Sequence, residues 1–323
     1  MRHALIARIL LVLALFAGAA LPARADLCSV TGTTLTFNPA DVLANAPVDV
    51  SGTIAFSCFN PVALNQAGRA CLSIGDPNGE AGGPRVAISG ANQIHYDLYT
   101  DAARTARWSS WRTGTGAGLQ VDFTYDILGN YSGSVPIYGR VFAGQQTVAA
   151  GQTYTETFAN TVSNLYIETS GGLLIQPCTT VTILGSSWGS TMTVSIVVPN
   201  KCLVSGNAMS FGTATVFSAD IDSSTNLSVS CSNALPYTVS LGNGFNGLSP
   251  ATRQMASGAN RVGYLLFRDA GRTQIWGSTP GSDTLAGTGT GLAVSVPVYG
   301  RVPPQATPPP GYYTDSVVIT VTY

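Results

Sequence analysis

Residues Tyr96 to Ser110 read YDLYTDAARTARWSS, and residues Tyr264 to Ser278 read YLLFRDAGRTQIWGS, aligned without a gap. Outward from this pair, the same landmarks recur on both sides. VPIYGRV (Val135 to Val141) follows the first stretch, and VPVYGRV (Val296 to Val302) follows the second. Upstream, Cys28 precedes Phe37 by nine residues, and Cys202 precedes Phe211 by nine. Cys28 to Cys58 spans thirty residues, and Cys202 to Cys231 spans twenty-nine. Downstream, GQTYTE (Gly151 to Glu156) resembles GYYTD (Gly311 to Asp315). Landmarks in fixed order, drifting only by small gaps, mark two copies of one domain.

Both copies are written in strand-forming sequence. VDVSGTIAFSC, LSVSCS, YTVSLG, TMTVSIVV and SVVITVTY alternate apolar residues with Ser or Thr and are rich in Val, Ile and Tyr. Gly, Pro, Asn and Asp punctuate them, and no stretch holds helical periodicity over three turns. The pattern predicts an all-β chain of two tandem Ig-like sandwiches joined near Pro199-Asn200.

Of 323 residues only 10% are charged, against about 25% in an ordinary soluble domain. The hydrophobic share of 45% excludes a charge-rich disordered chain. Fifteen bases, of which Lys201 is the only lysine, face sixteen acids, which argues against nucleic acid as a partner. Residues 1–25 read as a secretory signal: Arg2 and Arg8, an apolar run from Ile9 to Phe16, then Ala23 and Ala25 before a cut at Asp26. That run is too short to span a membrane, and no later segment approaches the length. The expectation is an exported chain with no transmembrane segment.

Export makes disulfides the natural reading of six cysteines, which allow fifteen pairings by count alone. Equivalent positions in the two copies suggest Cys28–Cys58 and Cys202–Cys231. Cys71 and Cys178 then remain as an extra bridge within the first copy. No close cysteine pair exists, and His95 is the only histidine after the leader, so a metal site is disfavoured.

The residues that carry the repeat also carry a resemblance. Cys202-x8-Phe211-Gly212, Val229-Ser230-Cys231, the Asp-Ala-x-Arg-Thr block, Val-Pro-Val-Tyr-Gly-Arg and the ending Gly-Tyr-Tyr-Thr-Asp with its Val/Ile alternation resemble the spore coat protein U family. That family includes the pilins of archaic, Csu-type chaperone–usher pili. The resemblance implies sandwiches that lack a last strand and receive one from a neighbour. On it, residues 26–198 are an N-terminal tip domain, and residues 199–323 are a C-terminal pilin domain needing a donor strand. The strand carrying Val317, Val318, Ile319 and Val321 borders that acceptor groove. Only Asp26 and Leu27 precede Cys28, where a donor extension would stand, so a distal position in a fibre is expected. Val194, Ile196 and Val198 share one face just before Cys202 and are expected to complete the N-terminal sandwich from within the chain.

The implied partners are a periplasmic chaperone, an outer-membrane usher, the next pilin subunit and an abiotic or host surface. The implied role is a pilus tip subunit mediating adhesion and biofilm attachment; the alternative is a structural spore or cell coat protein without adhesive role. Candidate adhesive tips are the apolar residues of glycine-bounded insertions in the first copy: Trp111, Leu128, Tyr131, Leu173, Leu174, Ile175 and Trp188. Leu173 to Ile175 has a second reading as a buried strand held by Cys178. Trp108 aligns with Trp276 and is assigned to the core. The repeated Asp101/Asp269 and Arg104/Arg272 are read as a structural turn with a local ion pair.

Catalysis and cofactors find no support. There is no G-x-S-x-G, and the carboxylates are scattered. The Gly287–Gly291 run precedes neither a helix nor a Lys-Ser/Thr pair. The chain is read as a non-enzyme without cofactor.

Overall fold

The computed structural model describes residues 27–79, 82–112, 116–159, 165–171, 175–179 and 186–323. The leader lies outside them. The first copy forms β1 (Leu27–Thr31), β2 (Thr34–Phe37), β3 (Val48–Phe59), β4 (Ala67–Ile74), β5 (Arg85–Ser89) and β6 (Asn92–Tyr99). It continues with β7 (Leu119–Thr124), β8 (Asn130–Val141), β9 (Gln152–Phe158), β10 (Leu165–Gly171), β11 (Ser186–Gly189) and β12 (Met192–Val198). The second copy forms β13 (Cys202–Gly206), β14 (Ile221–Cys231), β15 (Pro236–Leu241) and β16 (Arg253–Ser257). Then come β17 (Asn260–Phe267), β18 (Leu285–Thr288), β19 (Ala293–Val302) and β20 (Ile319–Thr322). Among the described residues the only helical element is one 3-10 turn, Val42–Ala44, and no helix is long and apolar enough to cross a membrane.

Each copy is a two-sheet sandwich. In the first, a sheet ordered β1-β3-β8-β6-β5-β9-β12-β2 packs on one ordered β11-β10-β4-β7. In the second, β13-β14-β19-β17-β16 packs on β18-β15-β20. The alternation read from sequence becomes burial. In β3 the inward set ends in Ile54, Phe56 and Cys58, and in β12 Met192, Val194, Ile196 and Val198 are all buried. Three disulfides staple the sheets: Cys28–Cys58, Cys202–Cys231 and Cys71–Cys178. The first two join cognate strand pairs, β1 to β3 and β13 to β14.

The two copies share an internal scaffold. Trp108 and Trp276 are fully buried, and their indole N–H groups donate to Leu72 O (3.1 Å) and Val239 O (3.0 Å). Arg85 and Arg253 are also fully buried. Arg85 donates to the carbonyls of Ile74 and Trp108, and Arg253 to those of Leu241 and Trp276. Each guanidinium fork thus ties together carbonyls of two separate segments.

The Asp-Ala-x-Arg turn is built differently from the expectation. Asp101 spends its carboxylate on the N–H groups of Thr105 and Ala106 and on the Thr105 hydroxyl. Arg104, with φ of 58°, instead reaches Gly139 O, Val50 O and Asp49 on neighbouring strands. Arg272 does the same with Gly300 O, Ser223 O and Asp222. The turn holds no local ion pair because its acid is saturated by backbone donors.

Candidate functional site

One difference between the sandwiches lies at a sheet edge. In the first, β12 lies between β9, to which it is antiparallel, and β2, to which it is parallel. Met192 faces Phe158 across the ladder, Val194 faces Glu156 and Leu35, Ile196 faces Tyr154 and Phe37, and Val198 faces Gln152. Val194 and Ile196 retain no exposed surface, and neither do Tyr154 and Phe158 beside them.

The second sandwich has the same two edges, and among the described residues no strand lies between them. The bridge Ile88↔Thr155, which joins β5 to β9, recurs as Ala256↔Thr314. Tyr313, Asp315 and Val317 therefore stand where Tyr154, Glu156 and Phe158 stand. On the other side Met209 and Phe211 lie over Gly300 as Leu35 and Phe37 lie over Gly139. All five are only half-buried, while their five cognates are buried. The result is an apolar groove between residues 209–211 and 313–317.

Val317, Ile319 and Val321 are half-buried on the core side, with Ile319 and Val321 paired to Leu241 and Val239. Val318, in the same run, faces outward. It is 58% exposed and out of phase with its neighbours, because alternation turns every second side chain outward, so it does not line the groove. Its carbonyl accepts from Gly242 N at 2.9 Å. Asp315 accepts from the Tyr264 hydroxyl (2.7 Å) and from Phe245 N (2.9 Å), which ties the 243–249 loop to one groove flank. Burial and that acceptor push the Tyr264 phenol well up. The first copy repeats the arrangement, with Tyr96 donating to buried Glu156 and Asn78 N donating to the same carboxylate.

A second feature lies at the opposite end of the first sandwich. Phe59 pairs with Asn130 at one end of β3–β8, and Val48 pairs with Val141 at the other. The second copy meets the chain beyond Val141: Asn233 donates to Thr147 O (2.7 Å), and Lys201 pairs with Asp41. At the far end two turns pack together through Asn60 N to Gly129 O (2.8 Å) and Asn65 N to Asp126 O (3.2 Å). Asp126 accepts from Leu128 N and Asn130 N, both at 2.8 Å, and these donors hold its carboxyl below the usual range. Asn60 accepts from Val62 N and Ala63 N. Such turns leave apolar side chains no inward course: Ile127 is 70% exposed and Leu128 67%, with Val62 and Leu64 exposed beside them. Leu27 and Phe59, also exposed, border the same end and line an open depression of about 430 Å³.

Of the sequence-derived tip residues that are described, only Leu128 belongs to this cluster. Tyr131 is a correction: it is the second residue of β8, and its ring stacks on Phe123 at 4.1 Å. The extra residues of the first copy here lengthen the β7–β8 hairpin and do not form a free loop, so Tyr131 joins an aromatic stack with Phe56 and Phe123. Trp188 lies in β11 opposite Ile167, half-buried against the core. Trp111 packs half-buried on the Cys71–Cys178 bridge. Ile175 is half-buried, and Leu173 and Leu174 lie outside the described residues. Sequence reasoning missed Ile127, Val62 and Leu64. The available signal was the short apolar run set between Asx residues and glycine or proline, Asp126-x-x-Gly129 and Asn60-Pro61.

Among the described residues no group of three or more His, Cys, Asp or Glu is placed to hold a metal. In fold, the chain is similar to a chain of the crystal structure of the CsuC–CsuE chaperone–tip adhesion subunit pre-assembly complex. That complex comes from the archaic chaperone–usher Csu pili of Acinetobacter baumannii. The TM-score is 0.56 at 17% identity, over 92% of this chain and 100% of that one. In sequence it is 33% identical over 131 residues to Protein U of Myxococcus xanthus, across 36% of this chain and 73% of the relative. The Spore Coat Protein U domain matches twice, at residues 14–161 and 189–320, one match per sandwich. With most of its length accounted for by two copies of that domain, the chain belongs to the Spore Coat Protein U domain family.

Proposed function

We propose that the protein is an exported subunit at the tip of a chaperone–usher pilus, with assembly and attachment divided between its two sandwiches. The observation that carries this reading is the contrast between the two grooves. One holds β12 of the same chain, and the other has cognate flanks with no strand between them among the described residues. In this reading residues 26–198 form a self-complemented tip domain, with Val194, Ile196 and Val198 as its internal donor. Residues 199–323 form the pilin domain, which takes a strand first from a periplasmic chaperone and then, at the usher, from the next subunit. Attachment belongs to the far end, where Ile127, Leu128, Val62 and Leu64 offer apolar surface to an abiotic or host surface and so support biofilm. The protein binds and assembles; it is not an enzyme.

Coexpression with a pilus chaperone tests the assembly half. The expected result is a soluble one-to-one complex, with aggregation or proteolysis of the chain expressed alone. A stable, soluble monomer that ignores the chaperone would overturn it. The match to the Spore Coat Protein U domain supports a second reading, a coat component that exchanges strands without adhering. Cells that display the protein yet attach to plastic no better than cells without it would favour the coat.

A further inference from the structure

We propose that the C-terminal groove selects a donor strand carrying an aromatic residue where β12 carries Met192. The inference rests on reading that groove as a strand acceptor, and β12 in its own groove is the template. The paired bridges Ile88↔Thr155 and Ala256↔Thr314 carry the register of β12 onto the second copy. An incoming strand runs antiparallel to residues 311–317 and parallel to residues 209–211, with alternate side chains turned inward.

The three central positions of that strand meet different walls. The one equivalent to Ile196 meets Tyr313 and Phe211, the same ring pair as Tyr154 and Phe37, so a branched aliphatic residue fits again. At the Val194 position the floor rises. Gly52, where a Cβ would lie 3.0 Å from Leu35 Cδ1, is replaced by Thr225, which is hydrogen-bonded to Ala208 O. A larger side chain has no room there.

At the Met192 position the wall recedes, because fully buried Phe158 is replaced by half-buried Val317 and a phenyl ring is lost. The residues beside it add no ring. The neighbour Leu165, opposite Ile74, becomes Ile319, opposite Leu241, which is an isomer of equal size. Phe245 and Leu248, on the adjoining loop, are 79% and 94% exposed and do not fill the space. Sandwich cores pack at crystal density, so methionine would leave a void that a Phe or Trp on the donor closes.

The test appends a copy of residues 192–198 to Tyr323 of the full chain through a flexible linker, with Met, Phe or Ala at its first position. Calorimetry then follows unfolding of the second sandwich. The expected order of midpoints is Phe above Met above Ala, with Phe leading by several degrees. Val317→Phe in the chain should reverse the first two, since the wall then supplies the ring itself. A Met or Ala donor that stabilises as well as Phe would overturn the size selection while leaving strand acceptance intact. If no appended strand raises the midpoint at all, strand acceptance itself fails.

Discussion

Ile196 lies opposite Phe37 in a parallel ladder, and both side chains are shut off from water. Truncating a buried isoleucine costs about 2–5 kcal/mol through lost transfer energy and the cavity left behind. Ile196→Ala should therefore lower the unfolding midpoint of the first sandwich by many degrees. The cognate change on the other side, Phe211→Ala, should cost distinctly less in the chain refolded in vitro, because Phe211 is only half-buried. Calorimetry of the two variants makes the comparison. Equal losses would mean that the second groove is already filled.

Arg253 offers a test of the shared scaffold. Its guanidinium donates to Gly242, Pro250, Leu241 and Trp276 carbonyls between 2.7 and 3.2 Å. A buried acceptor left without a donor costs about 1–3 kcal/mol. Arg253→Met should destabilise the second sandwich by several kcal/mol. Arg253→Lys should rescue little, since one ammonium cannot span four carbonyls set around a planar fork. Denaturant titration of both variants gives the answer, and full rescue by lysine would show that charge alone suffices.

The far-end turns should separate stability from adhesion. Ile127 and Leu128 are exposed and held out by Asp126, so changing both to Ser removes apolar contact surface without opening a cavity. The unfolding free energy should stay within about 0.5 kcal/mol of the parent, as at ordinary surface sites. Retention on a hydrophobic resin should fall clearly. Tyr131→Ser should do the opposite, because its ring belongs to the stack with Phe123.

Much of this architecture was legible in the sequence because repeated residues constrain one another. Two aligned copies of the Tyr96 and Tyr264 blocks located the sandwiches, and cognate cysteines located two of the bridges. The alternation of Met192 to Val198 reads the same in sequence and in burial. The far-end surface was less legible. Exposure of Ile127 depends on where Asp126 aims its carboxylate, and Tyr131 turns inward because Phe56 and Phe123 arrive from other strands. Neither fact is local to the residues concerned. At Val318 the reason is simpler: a run of apolar residues conceals which member faces out.

Glu156 makes the first sandwich sensitive to pH with a definite sign. Its carboxyl is almost wholly enclosed, and that burial raises its pKa above the ordinary 4.5. Hydrogen bonds from Tyr96 and Asn78 N and the nearby Arg85 charge oppose the rise only in part. A group whose folded pKa is raised binds its proton more tightly in the native state. Its stabilising contribution is thus complete below 4.5 and is lost as pH rises through the folded value. Glu156→Gln removes this titration while keeping an acceptor for the Tyr96 hydroxyl. Relative to that variant, the parent should gain stability as pH is lowered from neutrality toward 4.5. The surface pairs Asp49–Arg140 and Asp222–Arg301 have carboxyls held low and weaken only in stronger acid, and both proteins share them. Paired melting curves across mild acid isolate the Glu156 contribution, and a stability difference that stays flat or narrows in the other direction would contradict it.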